Sequence, residues 1–217
     1  MHAFPSNPDA ERMVRFQVAA RGVRDARVLE AMRRVPRDRF VPAERRADAW
    51  ADRPVPIGRG QTISQPFMVA LMSEALGLHG SERVLEVGTG SGYQAAVLGE
   101  LAAEVFSVER IAELAGTAAR TLEELGCANV TVVIGDGCRG LLEHAPFDAI
   151  LVAAAAPSVP AALRDQLADG GILVVPIGES AAVQVLTLVR RAGARFEVEE
   201  GTGCRFVPLI GEGAFEA

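Results

Sequence analysis

The residues best suited to ligand chemistry lie near the middle of the chain, in the segment Leu85–Gly92, LEVGTGSG. Gly88, Gly90 and Gly92 follow a short apolar run and precede a helical pattern. Glycines at a strand-to-helix turn let the backbone approach a ligand closely and leave helix N–H groups free to bind it. The spacing is GxGxG, because Tyr93 stands where the dinucleotide pattern GxGxxG has its third glycine. Such turns also occur for steric reasons alone, so further residues must identify the ligand.

Acidic residues at the ends of the neighbouring predicted strands indicate what that ligand is. Glu109 ends the second strand, where a carboxylate can accept hydrogen bonds from both ribose hydroxyls of a nucleoside. Asp136, after the third strand, could accept from an adenine amino group or could be a turn residue. Glu86 is either a structural acid of the strand end or a cofactor contact. An acid-lined cleft favours the sulfonium cation of S-adenosylmethionine over a pyrophosphate.

Strand and helix patterns alternate from residue 83 to about 177, and this alternation positions the candidate residues. It predicts βαβ units and a parallel sheet with helices on both faces, which binds ligands at the carboxyl ends of its strands. Residues 52–61, with two Pro and two Gly, are predicted to be a loop. The predicted helices cover residues 8–22, 25–35, 66–76, 91–102, 111–126 and 157–171, and the predicted strands cover 83–88, 104–109, 130–137, 147–156, 172–178, 182–191 and 195–210.

Composition limits the class of protein. The 217 residues, 49% of them hydrophobic, suffice for one large domain. The formal charge of −6 lacks the basic excess typical of nucleic acid binding, so we expect no nucleic acid partner. No apolar run reaches the roughly 20 residues of a membrane span, and the first residues lack a signal-peptide pattern, so we expect a cytoplasmic protein without a membrane partner. The scattered Cys127, Cys138 and Cys204 predict no metal site.

Seven segments occur together, and in one order, between Val14 and Gly211. They are GQTISQPFMVA, VLEVGTGSGYQAAVL, FSVERI, VIGDG, APFDAILVAAA, GGILVVPIG and RFVPLI. With them the chain resembles the protein-L-isoaspartate O-methyltransferase family of the bacterial type. GTGSG and GDG are shared with many methyltransferases, whereas TISQP before the core and RFVPL after it are more specific to this family.

The resemblance implies an α/β fold of the class I S-adenosylmethionine-dependent methyltransferase type: Rossmann-like, with a mostly parallel sheet, helices on both faces and added N-terminal helices. We expect a single structural domain, in which residues 1–78, a helical region with the substrate and cofactor loop, pack on a methyltransferase core of residues 79–217. The implied methyl donor is S-adenosyl-L-methionine, with S-adenosyl-L-homocysteine as product and no metal. The implied acceptor is the α-carboxylate of L-isoaspartyl residues in damaged proteins and peptides, and we expect a monomer.

The alternative function is an S-adenosylmethionine methyltransferase acting on RNA or a small molecule. Such an enzyme would share the glycine loop, Glu109 and Asp136. TISQP and RFVPL argue against it, as does the segment 152–157, VAAAAP, where an NPPY- or DPPY-type segment would be expected. A non-catalytic nucleotide-binding module is disfavoured by the intact loop, both acids and the Ser64 motif.

The resemblance also assigns roles to single residues. Ser64 matches the active-site serine of the family, and we expect its hydroxyl to orient the substrate by hydrogen bonding, without nucleophilic attack. The residues implied in substrate binding are Thr62, Ile63, Phe206 and Val207. The residues implied in cofactor binding are Gln61, Thr62, Glu86, Gly88, Gly90, Ser91, Gly92, Glu109, Arg110, Asp136 and Gly137.

From the residues alone, Ser64 has a second interpretation. It stands two residues before Pro66 and would serve as a helix N-cap, since proline is tolerated in the first turn. A helix N-terminus also attracts carboxylates, so the hydroxyl could help to bind an anion at the start of its own helix. Phe67, Cys138 and Cys204 depart from the pattern of the family, and Phe67 would lack a polar contact.

Overall fold

The computed structural model describes residues 7–179 and 182–216, which contain six α-helices and nine β-strands. The helices are α1 (Pro8–Met13), α2 (Ala26–Arg34), α3 (Pro66–Ala75), α4 (Tyr93–Gly99), α5 (Ala112–Glu124) and α6 (Ala161–Asp165). The strands are β1 (Val55–Gly58), β2 (Gln61–Ile63), β3 (Arg83–Val87), β4 (Glu104–Glu109), β5 (Val130–Ile134), β6 (Phe147–Val152), β7 (Leu167–Ile177), β8 (Gln184–Ala192) and β9 (Arg195–Cys204).

A seven-stranded sheet of order β5-β4-β3-β6-β7-β8-β9 forms the centre of the described structure. The first five strands in that order are parallel, while β8 and β9 are added as an antiparallel meander. Because these strands are parallel, the carboxyl ends of β3, β4, β5 and β6 share one edge of the sheet. The predicted α/β fold with a mostly parallel sheet is confirmed.

Both faces of the sheet are covered, as two neighbouring residues of β3 demonstrate. Val84 and Leu85 are both fully buried, but they belong to two different clusters of buried side chains. Successive side chains of a strand point to opposite faces, so a fully apolar strand requires a core on each side. One cluster contains Leu163 of α6, and the other contains Met32 of α2 and Val97 of α4.

The N-terminal helices contribute to the same core as the sheet. Met13, Met32 and Met72 are at most 1% exposed and share one cluster with Val84 and Leu151. The side chain of Asp25 caps α2 by accepting hydrogen bonds from two amides of the first turn. This segment therefore covers one face of the sheet.

The predicted helix over residues 8–22 is divided in the structure. After α1 the chain continues as a π-helical segment, Val14–Val18, and a short 3₁₀ turn, Ala19–Arg21. It ends at Gly22, whose φ of 107° lies in the region that favours glycine. Widened or tightened turns of this kind change which residues face the core, and Phe16 is 61% exposed.

The predicted loop over residues 52–61 was wrong, because β1 and β2 pair as an antiparallel hairpin. The two connecting residues, Arg59 and Gly60, both have positive φ, which a tight hairpin turn requires. The two prolines and two glycines of this stretch favour a loop on composition. The pairing of Val55 with Ile63 follows from the tertiary position of both residues in the core.

The predicted helix over residues 157–171 was also too long. Only Ala161–Asp165 is helical, and Leu167 begins β7, a strand of 11 residues. Leu167 pairs with Phe147 of β6, and the irregular register beyond that pair admits the glycines of this stretch. At the C-terminal end, the predicted strand over 195–210 stops at Cys204. No helix within the described residues has the length and apolarity to cross a membrane.

Candidate active site

The loop between β3 and α4 has a backbone conformation that depends on its glycines. Gly88 and Gly90 have φ values of 96° and 53°, in the left-handed region that other residues rarely occupy. The amide of Gly88 donates a hydrogen bond of 2.8 Å to the carbonyl of Val108, which ties the loop to β4. The pocket at this edge of the sheet is lined by Gln61, Thr62, Val87, Gly88, Gly90, Val108, Glu109, Arg110, Ile111, Gly137, Ala153, Ala154, Val207, Pro208, Leu209 and Ile210.

Glu109 lies at the end of β4 and is held by backbone amides. Its Oε2 accepts from the amide of Gly90 at 2.9 Å, and its Oε1 accepts from the amide of Ile111 at 2.9 Å. The residue is 6% exposed and lines the pocket. Each carboxylate oxygen can accept more than one hydrogen bond, so both remain able to receive ligand hydroxyls.

Glu86 lies in β3 directly beneath the glycine loop. Its Oε2 accepts from the hydroxyl of Ser107, its partner in β4, and the hydroxyls of Ser107 and Thr89 are 2.6 Å apart. Burial raises the pKa of Glu86 to about 8, the hydrogen bond from Ser107 acts in the opposite direction, and Glu109 adds to the rise. Among the described residues, Glu86 Oε1 has no hydrogen-bond partner. The structural interpretation therefore accounts for one oxygen of Glu86, which is 0% exposed and does not line the glycine-loop pocket.

Asp136 is a turn residue in the structure. Its Oδ1 accepts from the amide of Cys138 at 2.9 Å and its Oδ2 accepts from the amide of Glu212 at 3.0 Å. Partial burial acts to raise the pKa of Asp136, but these amide hydrogen bonds and the charge of Arg139 outweigh it, and the pKa is lowered. Asp136 lines a neighbouring cavity with Cys138, whereas Gly137 lines the glycine-loop pocket.

The remaining residues of the glycine loop shape the start of α4. Gly92 is the N-cap of α4 with a φ of 90°, and a Cβ there would stand 3.2 Å from Ala118. The hydroxyl of Ser91 accepts from the amide of Tyr93 at 3.4 Å. Neither Ser91 nor Gly92 lines the pocket, whereas Arg110, next to Glu109, does.

The β1–β2 hairpin brings the segment before α3 to the pocket. Gln61 and Thr62, both on β2, line it together with the glycine loop. Ile63, the last residue of β2, is 3% exposed and packs in the core, so its backbone is the part open to a substrate. Ile57 of β1 lies close to Gly90, with its Cδ1 3.6 Å from where a Cβ of that glycine would be.

Ser64 is half-buried in the short link between β2 and α3. The N-cap of α3 is Gln65, and no side chain caps this helix, so the capping interpretation of Ser64 was wrong. Within the described residues, the hydroxyl of Ser64 makes no hydrogen bond to the protein. Its carbonyl accepts from Nη2 of Arg37 at 2.7 Å. Ser64 does not line the glycine-loop pocket, whereas Thr62, two residues earlier, does.

The C-terminal segment lies alongside the end of β6. The amide of Ala155 donates to the carbonyl of Val207 at 2.8 Å, and the amide of Leu209 donates to the carbonyl of Ala155 at 2.7 Å. Val207 lines the pocket. Phe206 does not line it but packs against the core, and its amide donates to Oε1 of Gln184 at 2.9 Å.

Several residues of the site were missed by the sequence analysis. Ala153 and Ala154 line the pocket just after β6. They could have been predicted from the rule that ligands bind at the carboxyl ends of parallel strands, which also located Glu109. Ser107 donates to Glu86 and Arg37 donates to the carbonyl of Ser64, and neither residue has a signal in the sequence. Phe67 lies beneath the guanidinium of Arg21, whose carbon is 3.6 Å from the ring centroid, so its contact is a cation–π interaction.

The pocket fits the parts of S-adenosylmethionine that the sequence analysis expected. Gly88 and Gly90 line the pocket without a side chain, and Glu109 presents a carboxylate held by two backbone amides. A Cβ at Gly137 would collide with Cγ1 of Val87, so glycine keeps this wall of the pocket open. Together the fold and the site define a class I S-adenosylmethionine-dependent methyltransferase.

Comparisons of sequence agree with this class and narrow it. A sequence profile of the family described as protein-L-isoaspartate(D-aspartate) O-methyltransferase (PCMT) matches residues 9–214. Protein-L-isoaspartate O-methyltransferase 2 of Marinobacter nauticus is 57% identical over 201 residues, which are 92% of each chain. Protein-L-isoaspartate O-methyltransferase of Koribacter versatilis is 54% identical over 203 residues, 94% of this chain and 91% of the relative.

Comparisons of structure lead to the same group of proteins. A solved protein-L-isoaspartate O-methyltransferase structure matches with a TM-score of 0.85 at 30% identity. The match covers 94% of this chain and 67% of the chain in that structure. A putative protein-L-isoaspartate O-methyltransferase from Plasmodium falciparum, solved in complex with S-adenosyl-L-homocysteine, matches with a TM-score of 0.81 at 25% identity. The match covers 94% of this chain and 99% of the chain in that structure. The chain belongs to the protein-L-isoaspartate(D-aspartate) O-methyltransferase family.

Proposed function

We propose that this chain transfers the methyl group of S-adenosyl-L-methionine to the α-carboxylate of L-isoaspartyl residues in damaged proteins and peptides. One observation carries the proposal beyond family membership. Thr62 of the TISQP segment and Val207 of the RFVPL segment line the same pocket as Gly88 and Glu109. The two segments that are specific to the family thus meet at the glycine loop, although they lie far apart in the chain.

The cofactor side of the pocket consists of the glycine loop and the acids around it. S-adenosylmethionine, when bound, supplies an electrophilic methyl group on a sulfonium. Gly88 and Gly90 offer backbone to its amino acid portion, and Glu109 accepts from the ribose hydroxyls. Glu86 belongs to this side as well; with its pKa raised to about 8, its carboxyl is protonated at pH 7 and offers a hydrogen bond, not a counter-charge. The other residues on this side are Gln61, Thr62, Ser91, Gly92, Arg110, Asp136 and Gly137.

The substrate side needs binding groups and no general base. A carboxylate is already ionised at pH 7, since its unperturbed pKa is about 4. The chain therefore acts by holding the carboxylate oxygen in line for transfer and by excluding water. The hydroxyl of Ser64 and that of Thr62 orient the carboxylate, because acids near it would repel it. Ile63, Phe206 and Val207 contribute backbone contacts to the peptide.

The organisation of the chain agrees with this assignment of a cofactor side and a substrate side to the pocket. Residues 1–78 pack on a core of residues 79–217 as one structural domain, and supply the hairpin and Ser64. The shared cluster of buried side chains supports this arrangement. We further propose that the protein acts as a monomer in the cytoplasm, with neither nucleic acid nor membrane as partner. The net charge of −6 supports the proposal on nucleic acid.

The test is transfer of labelled methyl from S-adenosylmethionine to two peptides that differ only in L-isoaspartate or normal L-aspartate at one position. Labelling of the isoaspartyl peptide alone, as a base-labile ester, is the expected result. If a folded protein that binds S-adenosylhomocysteine labels neither peptide, the proposal fails and the acceptor is to be sought among RNA and small molecules.

A further inference from the structure

Arg37 is a buried cation that contacts the active-site segment from behind. It lies on a 3₁₀ turn, Arg37–Phe40, and is 0% exposed. Within residues 7–179 and 182–216 it is the one arginine with a buried side chain. Its Nε donates to the carbonyl of Ala49 and its Nη2 donates to the carbonyl of Ser64, both at 2.7 Å.

The charge of Arg37 is not neutralised by an acid. No carboxylate of the described residues forms an ion pair with it, and its Nη1 has no hydrogen-bond partner among them. The guanidinium carbon lies 4.7 Å from the ring centroid of Tyr93, which provides a cation–π contact. Burial lowers the pKa of Arg37, but arginine keeps its proton in proteins at neutral pH. A positive charge in a low-dielectric environment acts more strongly on a nearby anion than one in water.

The main chain at Ser64 depends on this contact. Ser64 lies between the end of β2 and the start of α3, so its backbone is held neither by strand pairing nor by helical hydrogen bonds. Pro66 at the start of α3 has no N–H to donate. The tether from Arg37 therefore fixes the peptide that carries the Ser64 hydroxyl, and that hydroxyl itself is free of protein partners in the described structure.

We propose that Arg37 is the positioning residue of the active-site segment: it holds the main chain of Ser64 so that the hydroxyl meets the substrate carboxylate, and its unpaired charge attracts that carboxylate. This inference rests on the proposed function, since it requires an anionic acceptor at Ser64. Arg37 is buried and touches no substrate, so it acts through Ser64 and through its electrostatic field.

The test compares Arg37→Met and Arg37→Lys with Arg39→Met as control. Arg39 lies two residues away on the same turn, is exposed and pairs with Glu124 at the surface. For Arg37→Met we expect a loss of about a hundredfold in kcat/KM for an isoaspartyl peptide, much of it in KM, because both geometry and charge are lost. Arg37→Lys keeps the charge, so its KM should lie closer to that of the wild type than the KM of Arg37→Met does. Its kcat should remain nearly as low as that of Arg37→Met. S-adenosylhomocysteine affinity should stay within about twofold in all three variants.

Coupling to Ser64 separates positioning from general destabilisation. In a Ser64→Ala background, Arg37→Met should reduce kcat by less than about threefold further, because residues that act through one another are not additive, while the rise in KM that comes from the lost charge should persist. A full additional loss of kcat in that background would overturn the inference. So would a joint loss of folding and S-adenosylhomocysteine binding in both Arg37 variants, which would make Arg37 a core residue.

The wild-type protein distinguishes this inference from the proposed function. If the wild type labels the isoaspartyl peptide and Arg37→Met labels it equally well, the inference on Arg37 alone fails. If the folded wild type labels no isoaspartyl peptide, the proposed function fails first, and the inference falls with it.

Discussion

The amide of Gly90 donates a hydrogen bond of 2.9 Å to Oε2 of Glu109, so the acid at the end of β4 holds the glycine loop that follows β3. The second oxygen of Glu109 accepts from the amide of Ile111, at the start of α5. One carboxylate thus joins two strand-to-helix turns at the same edge of the sheet. Loop and acid form a single unit, and a change to the acid should alter the loop as well.

We expect Glu109→Ala to weaken S-adenosylhomocysteine binding by about tenfold or more, since hydrogen bonds to charged groups contribute roughly 1.5–3 kcal/mol. Titration calorimetry measures the affinity. Glu113→Ala is the matched control, because Glu113 is exposed on α5 and pairs with Arg59 at the surface. An affinity for Glu109→Ala within twofold of the wild type would refute the role of this carboxylate.

The free energy of unfolding should fall as pH rises, because of Glu86. Burial raises its pKa from 4.5 to about 8, so between those values the folded protein binds more protons than the unfolded chain. The stability that depends on protonated Glu86 is complete below the unfolded pKa, and it decreases as pH rises toward about 8, by up to about 1.4 kcal/mol per pH unit. Asp136, with its lowered pKa, acts only at lower pH.

Chemical denaturation at several pH values between 5 and 8.5 tests this prediction. Glu86→Gln cannot ionise and should remove most of the slope, while its amide oxygen can still accept from Ser107. Equal slopes for the wild type and Glu86→Gln would mean that Glu86 does not titrate in this range.

Ser64→Ala should separate activity from stability. The hydroxyl of Ser64 caps no helix and makes no hydrogen bond within the described structure, so we expect Tm to change by less than about 2 °C. The loss of a hydrogen-bond donor to the substrate should lower kcat/KM by about a hundredfold. Thermal melts and the labelled-methyl assay measure the two quantities, with Ser81→Ala, at an exposed serine, as control. A large fall in Tm would assign Ser64 a structural role instead.

Gly137→Ala should destabilise the protein and close the pocket wall. A Cβ at residue 137 would collide with Val87 at the end of β3, which overpacks the site and costs roughly 1–3 kcal/mol. Gly135→Ala is the control, because its Cβ would have ordinary contact with Val108 at 3.7 Å. Denaturation and S-adenosylhomocysteine titration should both distinguish the two variants. Equal behaviour would mean that the Val87 side chain moves aside at little cost.

The sequence predicted most of the sheet because its strands are short, apolar and separated by helical patterns. Glycine spacing and the acid at the second strand end then located the pocket, since parallel strands end at one edge of a sheet. The β1–β2 hairpin was missed because Val55 and Ile63 pair through core packing, in a stretch whose prolines and glycines favour a loop. The start of β7 at Leu167 was missed because pairing with Phe147 overrides a helical pattern.

The sequence by itself determined the fold class, the glycine loop with Glu109, and the family, because these depend on residue types at fixed spacing. Tertiary structure decided the rest: that Thr62 and Val207 line one pocket, that Asp136 supports a turn, and that Ser64 caps no helix. It also decided that Arg37 lies buried behind Ser64. Thr62 and Val207, like Arg37 and Ser64, are far apart in the chain, and only packing brings the members of each pair together.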